Sequence, residues 1–210
     1  MKEKNQEPNL IVYSNQSYSA LEKDVVSVAV NSLDKGFNVQ PDLFENRTIT
    51  VTAQMVNVDT KQYHKLKKVA ETLTSKKISI VDDEKEEFDF IVPFPRIRYK
   101  AGKLELTMFA DVLPHFLELK NGYTEYYLKE SLSLHGFRTK RLYELLSARK
   151  KLHKPEWRVY DDELKTFFNI KQKTYKGRPS QFEDEQIRPN IEEINEKTSL
   201  EVFYNRDKDE

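Results

Sequence analysis

The sequence lacks cysteine, has little glycine and contains no long apolar run. Without cysteine the chain forms no disulfide, thiolate zinc site or iron–sulfur cluster, and it has no cysteine nucleophile. Charged residues make up 33% and the mean hydropathy is −0.76. No segment approaches the roughly 20 apolar residues that span a bilayer, which excludes a membrane protein. The start MKEKNQEPNL has no apolar secretory segment, so we expect a cytoplasmic protein.

The residue patterns of common nucleic-acid enzymes are also missing. None of the 5 glycines lies in a G-x-x-x-x-G-K loop, which excludes an ATPase phosphate loop of that type. The 4 histidines form no His-x-His pair of the kind that holds the metal in rolling-circle nickases. Tyr126 and Tyr127 are therefore interpreted as core or interface aromatics. The acidic run at 82–87 is interpreted as a solvated loop, because no glycine turn fixes its carboxylates for a cation. We expect no enzymatic activity, no cofactor and no metal.

The charges of the chain are balanced in number but not in position. The chain has 210 residues, 38% of them hydrophobic, which suits one large domain or two small ones with a real core. Residues 136–182 hold 13 Lys or Arg and 5 Asp or Glu, a net charge of +8, whereas residues 183–210 hold 4 and 10, a net charge of −6. Such a basic block is either a solvated face or a nucleic-acid contact.

The first half predicts two helices and a strand. Ser19 and Glu22 have the spacing of a capping box, and the apolar residues that follow have helical period, so a helix begins at Ser19. TITVTA at 48–53 alternates as a half-buried strand does. A second helix follows, capped by Asp59 or Thr60.

Three further segments change from helical period to period two, which indicates antiparallel strands: KISIV at 77–81, FDFIV at 88–92 and LELTMF at 104–109. Ala101-Gly102 supplies a hairpin turn. Helices followed by a hairpin are typical of a winged helix. We expect helices at 110–120 and 123–134 to complete the first unit, and a frayed stretch over the first ten residues.

The second half repeats this order on a smaller scale. We expect a helix from Thr139, a short strand at 157–160, a helix capped by Asp161 or Asp162, a last helix, and a strand LEVFY at 200–204. The last helix carries Ile187, Ile191 and Ile194 as its apolar stripe, and Pro189 predicts a kink in it. In winged helices the helix before the wing enters the major groove.

Four longer motifs of the sequence are distinctive: YHKLKKVAETLTSKKISI (63–80), RIRYKAGKLELTMFADVLPHFLELKNGYTEYYL (96–128), FRTKRLYELL (137–146) and IRPNIEEINEKTSLEV (187–202). Through them, and in this order, the chain resembles the Rep initiator proteins of iteron-containing plasmids. The resemblance covers almost the whole chain. It implies an α+β fold of two tandem winged-helix domains, at 1–135 and 136–210, with the boundary between Asn121 and Phe137.

The resemblance also implies a division of labour between the domains. The second domain is expected to bind origin repeats (iterons) in double-stranded DNA, and the first to contact adjacent DNA backbone or to mediate dimerisation. The monomer is expected to initiate replication with host replication proteins, and a homodimer to repress the initiator's own gene. The family usually carries basic residues where this chain has QFEDEQ (181–186).

The basic block supplies the candidate DNA contacts. Phosphate contacts are expected from the cations near the helix starts, because lysine and arginine beside a helix N-terminus suit phosphate: Arg138, Lys140, Arg141, Lys171, Lys173, Lys176 and Arg178. Base contacts are expected from side chains with hydroxyl, amide or guanidinium groups near the start of the last helix: Ser180, Gln181, Gln186 and Arg188. Leu142 and Tyr143 are interpreted as core residues, and Trp157 as a core or wing anchor.

Two other functions remain open from the sequence alone. A transcriptional repressor without a replication role needs the same winged helices, so its sequence looks the same. A nickase or primase-like enzyme belongs to another class and is disfavoured by the missing metal-ligand pairs. The lysines of the second helix, Lys65, Lys67 and Lys68, are either a solvated face or a DNA contact.

Overall fold

A computed structural model describes residues 1–33, 45–59, 61–82 and 84–207 of the chain. The helices are α1 (Asn9–Val12), α2 (Ala20–Asn31), α3 (Tyr63–Leu73), α4 (Leu113–Leu117), α5 (Leu128–Ser133), α6 (Phe137–Ser147), α7 (Asp161–Phe167), α8 (Pro179–Phe182) and α9 (Arg188–Lys197). The strands are β1 (Lys4–Pro8), β2 (Arg47–Thr52), β3 (Ile78–Asp82), β4 (Glu87–Ile91), β5 (Arg96–Lys100), β6 (Lys103–Met108) and β7 (Tyr123–Tyr127). No helix within the described ranges is long and apolar enough to cross a membrane.

The strands form three small antiparallel sheets, ordered β2-β6-β5, β3-β4 and β1-β7. The period-two segments of the sequence therefore form strands as predicted. The hairpin turn between β5 and β6 is confirmed too, because Ala101 and Gly102 both adopt positive φ, at 49° and 79°, as a tight hairpin requires.

The β1-β7 pair corrects two expectations. The first ten residues are not frayed, and Tyr123–Tyr127 is a strand rather than the start of a helix. Thr124 and Tyr126 both point inward along β7, and this period of two is typical of a strand. The helix was predicted because the leucines that follow have helical spacing. β1 has no apolar signal because its inward side chains, Asn5 and Glu7, are polar and buried.

The predicted start of α2 is confirmed. Glu22 N donates to Ser19 Oγ at 3.3 Å, and Ser19 N donates to Glu22 Oε2 at 2.7 Å, which is a complete capping box. The start of α3 differs from the prediction: Gln62 precedes its first residue, and Asp59 Oδ1 instead accepts from Lys61 N at 2.8 Å. The alternative cap, Thr60, lies outside the described residues.

In the second half, the predicted helices are present but the predicted strands are not. No strand follows Tyr127 within the described residues, so the segments at 157–160 and 200–204 are irregular. Near the C-terminus the Asn195 amide takes the place of a partner strand, accepting from Val202 N at 2.8 Å and donating to Val202 O at 3.0 Å. α7 begins at Asp161 and its preceding residue is Tyr160, so neither aspartate is the cap.

The last helical segment runs from α8 to α9 through a π-helical turn at Glu183–Ile187. Pro189 has no amide hydrogen, so it cannot bond to the carbonyl four residues earlier, and its ring would clash there. The wider π turn accommodates this break. Asn190 Nδ2 donates to Gln186 O at 2.5 Å, which satisfies one carbonyl of the turn.

Two apolar clusters form the core. The first surrounds α2 and contains buried residues from β2, α3 and β6; the second contains buried residues from α6, α7 and α9. Leu142 and Tyr143 are buried in the second cluster and Trp157 packs against it, which confirms their interpretation as core residues. Phe137, also on α6, packs against the first cluster. Since α6 contributes to both, the boundary between Asn121 and Phe137 stays a prediction.

A buried ionic cluster joins α2 to α6. The side chains of Lys23, Arg141 and Glu144 have no exposed surface. Lys23 Nζ lies 2.7 Å from Glu144 Oε1, and Arg141 Nη1 lies 2.7 Å from Glu144 Oε2. Arg141 Nη2 also donates to the carbonyls of Val12 and Ser14, at 2.7 and 3.1 Å. Burial alone would raise the pKa of Glu144, but the two cations more than offset it and hold that pKa below its usual value.

Strands β1 and β7 supply the remaining members of this cluster. Glu7 Oε1 lies 3.9 Å from Lys23 Nζ, and Tyr126 Oη lies 3.0 Å from Glu7 Oε2 and 3.2 Å from Glu144 Oε1. Asn5 Nδ2 donates to Tyr126 Oη at 2.8 Å. A second buried pair lies between the same helices, with Lys140 Nζ 2.6 Å from Asp24 Oδ1. The polar residues of β1 are therefore buried because they complete a network of charges.

We expect Glu144→Gln to lower the free energy of unfolding by about 3 to 5 kcal/mol, because it leaves two buried cations without their shared carboxylate. Chemical denaturation at neutral pH measures this. Glu71→Gln is the matched control, since Glu71 pairs with Lys67 on the surface at 3.7 Å and an exposed pair contributes less than about 1 kcal/mol. Equal effects of the two substitutions would contradict a stabilising role for the buried cluster.

Asp24 gives the stability a pH dependence. Burial raises the pKa of Asp24 to about 6, although Lys140 opposes that shift. The folded state therefore holds this proton more tightly than the unfolded chain, so the contribution of Asp24 to stability is largest below about pH 4 and is lost as the pH rises through 6. Relative to Asp24→Asn, we expect the natural protein to lose on the order of 2 kcal/mol between pH 4 and 6. Chemical denaturation of both proteins at several pH values gives the free energy of unfolding as a function of pH. The difference between the two proteins should change over this range, and a constant difference would contradict the prediction.

Candidate DNA interface

One exposed part of the basic block is the loop between α7 and α8. Lys171, Lys173, Lys176 and Arg178 are exposed, and none of them forms an ion pair with a described residue. The loop is a series of tight turns in which Tyr175 and Gly177 adopt positive φ, at 62° and 69°. Four exposed cations on successive turns form a surface that suits a phosphate backbone. We call residues 171–178 the basic loop.

The basic loop leads directly into α8, the start of the last helical segment. Ser180 is exposed and Gln181 is half-buried. Gln181 Nε2 donates to Glu185 Oε1 at 2.7 Å, an exposed contact that a base edge can replace. Both side chains lie beside the basic loop and have polar groups that can pair with bases.

The structure corrects the prediction for Lys140 and Arg141. Both side chains are buried, and their charged groups are held by Asp24 and Glu144. A side chain without exposed surface cannot reach phosphate, so these two residues belong to the interior. Sequence reasoning could not detect this, because FRTKRLYELL resembles an amphipathic surface helix and α6 is instead buried nearly all round.

Gln186 needs the same correction. It is 8% exposed, its Nε2 donates to Tyr175 Oη at 2.9 Å, and its Oε1 accepts from Arg138 Nη1 at 2.5 Å. With both ends of its amide used, Gln186 cannot read a base edge in this conformation. It instead connects the basic loop to α6.

Arg138 and Arg188 are only partly available. Arg138 is half-buried, and besides its bond to Gln186 its Nε donates to Phe168 O at 3.4 Å. The side chain of Arg188 is 51% exposed, with Nη2 at 2.9 Å from Asp184 Oδ1 and 3.5 Å from Glu183 Oε1. DNA would therefore have to compete with these carboxylates for Arg188.

The acidic start of the last segment is partly offset within the protein. Glu183 is half-buried beside Arg188, and Tyr175 Oη donates to Glu185 Oε2 at 2.7 Å. The hydrogen bonds from Gln181 and Tyr175 hold the pKa of Glu185 below its usual value, so this carboxylate stays ionised. It repels phosphate, which leaves the basic loop as the favoured contact in this domain.

A second basic surface lies on the first domain and was missed by the sequence reasoning. Arg96, Arg98 and Lys100 are exposed on β5, opposite Thr107, Glu105 and Lys103 of β6. The signal was present in RIRYK, where three cations alternate with Ile97 and Tyr99 and so occupy one face of the strand. We call this face, with Lys103, the basic wing.

Helix α3 packs against the other face of β5, opposite the basic wing. The rings of Tyr63 on α3 and Tyr99 on β5 are 5.0 Å apart. Lys65, Lys67 and Lys68 of α3 are exposed, and Lys67 lies near Glu71 of the same helix. The first domain thus presents a helix and a hairpin that both carry cations.

Two observations concern the alternative of a strand-cleaving enzyme, which uses a metal site and an accessible nucleophile. Among the described residues, no three His, Asp or Glu side chains are grouped so that they could hold a metal ion. Tyr126 is 3% exposed, and burial raises its pKa well above the usual value. A phenol that is buried and hard to ionise is unsuited to attack a phosphodiester.

Comparison with known proteins agrees with this arrangement. Residues 5–147 match the family model "Initiator Replication protein, WH1", and residues 162–210 match "Initiator Rep protein, WH2". No curated protein matches the chain. Among solved structures, the chain is similar to the Pi initiator protein in complex with iteron DNA, with 21% identity, a TM-score of 0.73, and coverage of 96% of this chain and 89% of that chain.

The two matched segments span most of the sequence and follow the order first expected from its motifs. The α+β fold of two tandem winged-helix domains is confirmed, although the second domain has no wing strands among its described residues. The chain therefore belongs to the initiator Rep protein family of replication initiators.

Proposed function

We propose that this protein initiates plasmid replication by binding repeated sequences at the origin, without catalysing a reaction itself. The observation that carries the proposal is the basic loop, whose four exposed cations lie directly before the last helical segment of the second domain. The similar Pi initiator protein binds iteron DNA, which supports the same class of ligand here.

The basic wing and α3 of the first domain supply a second contact. A protein that places one basic surface on each of two domains can hold a longer stretch of duplex than either domain alone. Phosphate contacts from both domains set orientation, while base contacts beside the basic loop select the sequence.

We further propose that a homodimer formed through the first domain represses the initiator's own gene, and that host replication proteins act on the DNA-bound monomer. Strand β2 supports the dimer: it lies at the edge of its sheet and is paired to β6 alone among the described strands. An open edge strand can pair with a second chain.

The basic loop is tested by Lys176→Ala and Arg178→Ala. Each substitution removes one exposed cation that forms no close ion pair with a described residue, so we expect weaker binding to origin-repeat and random duplexes alike and a salt slope reduced by about one unit. Fluorescence anisotropy at several salt concentrations measures this. Lys85→Ala is the matched control. Lys85 is also an exposed cation, but it pairs with Asp82 at 2.5 Å and lies far from the basic loop in the sequence. An unchanged salt slope in both loop variants would refute phosphate contact there.

Base reading is tested at the start of α8. We expect Gln181→Ala to cost about 1 to 3 kcal/mol on the origin repeat and little on random duplex, since a base contact contributes only on the correct sequence. Gln186→Ala is the comparison, because that side chain is buried and bonded within the protein. It should lower stability in denaturation without changing the ratio of specific to random affinity. Equal losses on the two duplexes for Gln181→Ala would exclude base reading by this residue.

A further inference from the structure

The β3-β4 ribbon has one face in the core and one face without a cover. Ile78 and Ile91, paired across the ribbon, are 1% and 4% exposed. On the opposite face Val81 lies across from Phe88, and Phe90 lies next to that pair. These three side chains are 51%, 71% and 51% exposed. The rings of Phe88 and Phe90 are 5.2 Å apart, so they form a continuous apolar surface.

A groove continues this surface beyond Val81. It has a volume of about 610 Å³ and lies between α1, β3 and the end of α4. Leu10 and Tyr13 line it and are 48% and 37% exposed. Contiguous exposed apolar residues of this kind mark interaction sites, because folding alone does not require them. We call the ribbon face and the groove together the apolar face.

The charges around the apolar face limit what can cover it. Glu84, Glu86 and Glu87 are exposed at the tip of the ribbon. The two lysines near this tip already have partners within the ribbon. Lys85 pairs with Asp82 at 2.5 Å, and Lys77 Nζ lies 4.3 Å above the ring of Phe90. The acidic tip repels DNA backbone and anionic lipid. A second copy of the chain would bring the same acidic tip to a ribbon whose lysines are already paired.

We propose that the apolar face binds a basic, apolar segment of a host replication protein. This inference rests on the proposed function and adds the surface through which the DNA-bound initiator recruits its host partner. The partner must present lysine or arginine around an apolar centre, since that chemistry complements both the phenylalanines and the tip carboxylates. The apolar face has no residue in common with the basic loop or the basic wing and carries the opposite charge, so DNA and this partner do not compete for the same side chains.

The test compares two surface variants with matched controls. Phe88→Ser with Phe90→Ser removes the aromatic centre, and Glu84→Lys with Glu86→Lys reverses the charge of the tip. The controls are Phe203→Ser, at a phenylalanine that is 85% exposed elsewhere, and Glu201→Lys, at an exposed carboxylate. Each full-length protein is assayed for thermal unfolding, origin-repeat binding, sedimentation and support of plasmid replication in the host.

We expect both surface variants to keep DNA affinity and oligomeric state within about twofold while plasmid transformation falls at least about tenfold, and both controls to replicate normally. A Lys/Leu amphipathic peptide should bind the natural protein and lose at least about tenfold in affinity for the surface variants, whereas a Glu/Leu peptide should not bind.

Normal replication by the variants, or unchanged peptide binding, would overturn the proposal. Lost DNA binding would assign the face to DNA, and altered sedimentation would assign it to a second copy; either also overturns it. If the natural protein itself binds no origin repeat, the proposed function fails instead.

Discussion

The buried contact of Glu144 with Lys23 and Arg141 is the constraint on which the arrangement of this protein depends. Three charges without solvent exposure are stable only when every partner is in place, because an unpaired buried charge is costly. The contact fixes α6 against α2 and, through Arg141, against the chain at Val12 and Ser14. Since α6 also packs in the second apolar cluster, this buried ionic contact fixes that apolar cluster against the first one.

This constraint divides cations of the same type between two roles. Lys140 and Arg141 are used inside the protein, whereas Lys176 and Arg178 remain on its surface. Between them, Arg138, Gln186 and Tyr175 form a hydrogen-bonded chain from α6 to the basic loop. The position of the basic loop, the proposed DNA contact, is thus set by polar groups outside the proposed contact.

The balanced net charge of the chain conceals a separation of charge in space. The basic loop and basic wing carry exposed cations, while the tip of the β3-β4 ribbon carries carboxylates beside exposed phenylalanines. A neutral protein with separate faces of opposite sign can attract DNA at one face and a basic protein at another. Composition alone predicts neither surface, because it averages over them.

Local patterns in the sequence determined most helices, most strands, the Ser19–Glu22 cap and the Ala101-Gly102 turn, because period, capping and turn chemistry act over a few residues. The resemblance of four longer motifs indicated the family. Tertiary structure alone decided the rest. β1 and β7 pair across more than a hundred residues, and Asn195 replaces the strand partner expected near Val202. Burial, not residue type, removed Lys140, Arg141 and Gln186 from the DNA interface. A charged residue looks the same in sequence whether its partner is water, phosphate or a buried carboxylate, and only the folded chain brings that partner into contact.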